Sequence, residues 1–107
     1  MTSPYLLYLI TTPEKKLQHL YKIGYHQGTL DTLLKQYQNK HLNPEIVYFD
    51  NVNNPFLIKN QVLNFLENYR EKNRKSLNWI CLRLEMIIAT ILYVCYNKNY
   101  DPMMIDY

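Results

Sequence analysis

Two runs decide the fold: Tyr5-Leu6-Leu7-Tyr8-Leu9-Ile10-Thr11 and His19-Leu20-Tyr21-Lys22-Ile23-Gly24-Tyr25. Both are rich in branched and aromatic side chains, which suit a pleated, half-buried surface, so each predicts a strand. The polar segment between them, Thr12 to Gln18, carries Pro13 and reads as a turn. Such a short connection favours an antiparallel hairpin. Gly24 within the second run suggests a bulge or a close backbone approach.

Further along, Leu30, Leu33, Leu34 and Tyr37 recur at i, i+3, i+4 and i+7, one apolar face of a helix running to Lys40, with Thr29 placed to cap it. Asn43-Pro44 ends that segment, and Glu45-Ile46-Val47-Tyr48-Phe49 reads as a third strand. Asn53 or Asn54 can cap a second helix whose first turn holds Pro55, and Ile58, Val62, Phe65, Leu66 and Tyr69 supply its apolar face. A polar run over 70–76 breaks it. Trp79-Ile80-Cys81-Leu82 is short and extended, or begins a turn. From Arg83 to about Asn97 the chain predicts a third helix, apolar on nearly all sides. A helix of that kind is buried on more than one side or offers a face to a partner, such as a second copy or a host protein. The order is β-β-α-β-α-α, an α+β domain with a small three-stranded antiparallel sheet and three helices. One domain is expected over residues 1–99, with 100–107 as a C-terminal tail.

The bulk properties agree with this pattern. A chain of 107 residues, 48% hydrophobic, supports one domain with a modest core, and its two glycines exclude a low-complexity reading. The net charge of +3 is compatible with nucleic acid without requiring it, because a dedicated binder concentrates its charge. Arg70-Glu71-Lys72-Asn73-Arg74-Lys75 is the densest basic stretch, suited to a solvated loop or to phosphate contact. Cys81 and Cys95 have no metal-ligand spacing. Two thiols and no leader-like segment lead us to expect a reducing, cytoplasmic setting, with the nucleus compatible. The apolar run Met86–Tyr96 is eleven residues, about half a membrane span, so no membrane association is expected.

Two hairpin segments, Leu6-Leu7-Tyr8 and Tyr21-Lys22-Ile23-Gly24-Tyr25, followed at once by a helix, resemble the two signatures of the GIY-YIG nuclease superfamily. The likeness is nearest to the branch found in bacteriophages and large DNA viruses, in which Lys-Ile-Gly forms the second signature. It covers roughly residues 5–82. The resemblance implies a phosphodiester-cleaving site: signature tyrosines that orient water, an arginine on the first helix against phosphate charge, and a glutamate on the second helix that holds magnesium.

Carried over position by position, the match is incomplete. Tyr8 fits the first signature; Tyr21, Lys22 and His26 are the remaining vestigial catalytic candidates. The first helix lacks arginine and offers Gln36-Tyr37 with Lys35 beside it, without the bidentate fork of a guanidinium. The position expected to bear the metal carboxylate falls near Asn60, and a second acidic position is Asn78. Glu67 stands about two turns beyond Asn60, roughly 10 Å along a helix axis. The resemblance therefore implies a degenerate, non-catalytic nuclease fold with no resident metal or cofactor, binding DNA or RNA through Tyr8, Lys22, Tyr25, His26, Lys35 and Arg70. A protein-interaction module acting on a host or viral partner, or as a homodimer, through the helix over 83–97 is the alternative reading. A magnesium-dependent endonuclease is the third. Each candidate also has an ordinary role: Tyr8 and Trp79 suit a core, and Lys22 an outward-snorkelling strand position.

Overall fold

The computed structural model describes residues 5–71 and 78–97. Strand β1 (Tyr5–Thr11) leads through a one-turn helix, α1 (Pro13–Lys16), into β2 (Leu20–Gln27). Helix α2 (Leu30–Gln38), strand β3 (Glu45–Asn51) and helix α3 (Pro55–Phe65) follow. A 3-10 turn (Glu67–Tyr69), strand β4 (Trp79–Cys81), helix α4 (Leu84–Leu92) and a wider turn (Tyr93–Asn97) complete the described chain. The expected tail, 100–107, lies outside the described residues, as does most of the basic run after Glu71.

The α+β class and the antiparallel hairpin are as the sequence predicts. The sheet, however, has four strands in the order β3-β1-β2-β4, all antiparallel. The fourth is the short Trp79–Cys81 segment, which pairs with Leu20–Lys22. Three residues carry too little pattern to distinguish a strand from a turn. The linker between β1 and β2 is also more ordered than a plain turn. Thr12 accepts a hydrogen bond from the Lys15 amide and Pro13 occupies the first helical turn, so capping and a fixed φ close one turn of helix.

Strand alternation divides the core in two. Leu7 and Leu9 of β1, Tyr21 and Ile23 of β2 and Ile80 of β4 pack with Ile58, Val62 and Leu63 of α3 and with Ile87 and Ile91 of α4. On the other face Tyr8 and Ile10 pack with Leu33 and Tyr37 of α2 and with Ile46. The result is α2, sheet, then α3 with α4: three layers. A register shift between Leu9 and Ile10 leaves Val47 as an extra residue of β3. Val47 and Tyr48 consequently pack on the α3/α4 core, while Ile46 faces α2.

Helix α2 begins where the sequence expects it. Thr29 and Thr32 form a reciprocal capping box. Helix α3 ends at Phe65, one turn before Tyr69, and the chain tightens into the 3-10 turn. Helix α4 is shorter than its apolar run, ending at Leu92 before the wider turn takes over. Ile87, Ile91 and Val94 are buried, whereas Met86, Leu92 and Tyr93 are exposed, so the all-round apolar pattern serves one buried face. Among the described residues no helix is long and apolar enough to cross a membrane.

Candidate functional site

Tyr8 faces Gly24 across the β1–β2 pairing, and Ile10 faces Lys22. Tyr8, Lys22 and Gly24 thus share the α2 side of the sheet. The Tyr8 phenol lies flat across Gly24: a Cβ there would land on the Tyr8 hydroxyl and ring. Close approach, and no bulge, is why glycine occupies this position. The Tyr8 hydroxyl meets the Tyr37 hydroxyl at 2.8 Å. Burial, reinforced by that hydrogen bond and by the Tyr37 phenol, raises the Tyr8 pKa. Tyr8 therefore stays protonated at any physiological pH.

Around this pair an aromatic and basic cluster assembles. His41 stacks on Tyr37 with ring centroids 5.7 Å apart, and Trp79 meets His41 edge-on at 6.2 Å. Lys22 Nζ lies 5.2 Å over the Tyr37 ring, and Lys15 Nζ lies 4.6 Å over the Trp79 ring. Burial lowers the His41 pKa, and Lys22, Lys15 and Lys40 lower it further. Burial likewise lowers the Lys59 pKa, with Arg70 and Lys22 adding to it. Lys22 is therefore in the field of both groups. Lys15 and Lys40 thus act with Lys22 on His41, and Arg70 acts with Lys22 on Lys59, although the five cations come from separate parts of the chain. Among the described residues, the salt bridges are Lys16–Glu45 and Arg83–Glu85, so Lys15, Lys22, Lys40 and Lys59 are in none. A polar cleft of about 590 Å³ adjoins the cluster, lined by Pro13, Gln38, His41, Asn43 and Glu45 among others.

The other sequence candidates are placed differently. Tyr21 is buried in the α3/α4 core, on the opposite face from Tyr8, because alternation turns it away from Lys22. His26 hydrogen bonds through Nε2 to Thr32 Oγ1 at 2.8 Å, tying the end of β2 to the first turn of α2. Lys35 is exposed, between the inward-facing Leu33 and Tyr37 and away from the cluster. Tyr25 is exposed and packs edge-on against Phe56 of α3. Arg70 forms a β-bridge with Ile80, next to β4. Glu67 lies exposed in the 3-10 turn. Trp79 is only 6% exposed, which fits its core role and leaves no face for a base. Helix α3, which carries Asn60, packs on the sheet face opposite Tyr8, so that amide does not face the signature tyrosine. Among the described residues no three His, Cys, Asp or Glu side chains gather as a metal site would need.

Lys15, Tyr37, His41 and Lys59 were not legible as site residues. Tyr37 and His41 are four apart, and the His41 amide donates to the Tyr37 carbonyl, so helical spacing alone could have joined them. Nothing local marks Lys59 or Lys15.

The model of the T5orf172 domain matches residues 5–95. The chain belongs to the T5orf172 domain family. It is also 32% identical, over 93 residues and 85% of its own length, to the uncharacterized protein R10 of Acanthamoeba polyphaga mimivirus. It spans 25% of the length of that relative. No solved structure matches the chain significantly.

This corrects the GIY-YIG resemblance: the family model covering the hairpin is that of T5orf172, and no GIY-YIG family model matches. The physical reason is visible in the hairpin. A glycine opposite a tyrosine is what the flat packing of Tyr8 on Gly24 demands, whatever the chemistry nearby. Two signatures of three to five residues do not by themselves separate a packing device from a family signature. The degenerate-nuclease reading rested on that resemblance and loses its support. What stands for this T5orf172 domain is an α+β domain compatible with nucleic-acid binding.

Proposed function

We propose that this T5orf172 domain binds nucleic acid through the basic edge centred on Lys22. The observation that carries the reading is that Lys22 Nζ lies over the Tyr37 ring, on which His41 stacks, and Lys15 Nζ lies over Trp79, which meets His41 edge-on, so two lysines outside any described salt bridge share one aromatic floor. Like charges brought together repel, and a polyanion relieves that repulsion while releasing its own counterions. The chain carries only +3 overall, so the concentration of charge, not its total, is what favours a phosphate backbone. Family membership is compatible with the reading.

The test is a fluorescence-anisotropy titration of labelled duplex and single-stranded oligonucleotides at several salt concentrations. Binding that weakens linearly in log–log form with salt is expected. Lys22→Gln should weaken both probes and reduce the salt slope by about 1. Failure to bind either probe at low salt would reject the proposal.

A further inference from the structure

Tyr25 and Phe56 are large aromatic side chains left 44% and 54% exposed. Their rings meet as a corner, with centroids 5.7 Å apart and planes at 86°. Tyr25 stands near the end of β2, and Phe56 in the first turn of α3. The inward positions of that turn belong to Pro55 and Ile58, both buried, so packing of α3 does not require an aromatic at 56. Lys59, one helical turn on, lies with Nζ 5.2 Å over the Tyr25 ring and 5.4 Å over the Phe56 ring. The corner is thus roofed by a cation that also feels Arg70 and Lys22. Neither β2 nor α3 contains an aspartate or glutamate. Strand β4 pairs with β2 only over Leu20–Lys22, so among the described residues no strand flanks Tyr25 on that edge.

We infer that the Tyr25–Phe56 corner is a stacking subsite for an unpaired base, which makes single-stranded nucleic acid the preferred ligand of the Lys22 edge. The inference rests on the proposed nucleic-acid reading and narrows its substrate class. Every base has a π-face, so an exposed aromatic accepts it without regard to sequence. A base inside a duplex has both faces covered by its neighbours and cannot use the corner. A base laid on the face of either ring that Lys59 leaves open brings its phosphate toward the Lys59 ammonium. The surrounding positive charge, with no acid on either element, is complementary to a polyanionic strand.

The experiment compares labelled oligothymidylate with a duplex of equal length, using wild-type chain and the variants Phe56→Leu, Phe56→Ala and Lys22→Gln. Leucine keeps the apolar bulk beside Tyr25 and removes the π-face, and circular dichroism checks that each variant is folded. Phe56→Leu should weaken oligothymidylate binding roughly ten-fold, leave the duplex within about two-fold and keep the salt slope. A strand bearing 2-aminopurine should be quenched on binding the wild type and not on binding Phe56→Leu. If both Phe56 variants bind oligothymidylate as the wild type does, or lose duplex affinity equally, the corner is no stacking subsite. In that outcome a loss on Lys22→Gln still upholds the phosphate surface. If the wild type binds neither probe, both readings fall.

Discussion

The Tyr8 and Tyr37 hydroxyls, 2.8 Å apart, join a central strand to the helix that covers it. Their rings meet edge-on with centroids 5.9 Å apart. The Tyr37 ring in turn sits beneath the Lys22 ammonium and beside His41. One buried phenol pair therefore supports the floor of the basic edge. Removing either hydroxyl leaves its partner buried without that bond, which costs about 1–3 kcal/mol. Tyr8→Phe and Tyr37→Phe should each destabilise the chain, and the double variant should cost less than their sum. Urea unfolding of the four proteins in a double-mutant cycle measures the coupling, expected at about 1 kcal/mol. Strict additivity would show that the hydroxyls do not interact in solution.

Gly24 allows no side chain beneath Tyr8. Gly24→Ala should cost about 1–3 kcal/mol, the usual range for overpacking a core, because a buried ring and not a flexible tip must move. Tyr8→Phe should not rescue it, since the Tyr8 ring carbon Cζ is crowded as well as the hydroxyl. A shift in the urea midpoint at constant m-value is the readout.

His41 makes stability and binding respond to pH in opposite senses. Its pKa in the folded chain lies below the ordinary 6.5, through burial and then through Lys22, Lys15 and Lys40. The folded chain thus binds fewer protons than the unfolded chain in that window. The contribution of neutral His41 is full above 6.5 and is lost as pH falls through the folded pKa. His41→Gln should flatten this decline, measured as urea stability across a pH series. A bound phosphate backbone favours the protonated ring, so affinity for nucleic acid should rise over the same fall in pH and should not do so in His41→Gln.

Thr29 caps α2 by accepting the Thr32 amide, and Thr32 also holds His26. Thr29→Ala should cost about 1 kcal/mol by removing the cap. Hydrogen exchange should report the loss first at the amides of the α2 first turn, while β1 stays protected.

Strands β1, β2 and β3 and helices α2 and α3 are legible in the sequence because each carries a local propensity, a local period or a local cap. The branched and aromatic content of β1 and β2, the Thr29 cap and the Asn54-Pro55 start all operate within a few residues. Strand β4 is not, because its three residues acquire strand character only by pairing with Leu20–Lys22. The hairpin signatures mislead about family for a related reason. Tyr8 and Gly24 are coupled by packing across the sheet, and short motifs do not separate packing from chemistry.

The sequence by itself determined the α+β class, the hairpin and the capped helices, since propensity, periodicity and capping are short-range physics. Tertiary structure alone decided which cations share a surface. Lys15, Lys40, Lys22, Lys59 and Arg70 are scattered along the chain, and Lys35, which lies closer to Lys22 in sequence than Lys59 does, points elsewhere. Electrostatic fields act through space, so the packing of helices and loops around the sheet, and not nearness in sequence, decides which cations act on His41 and Lys59.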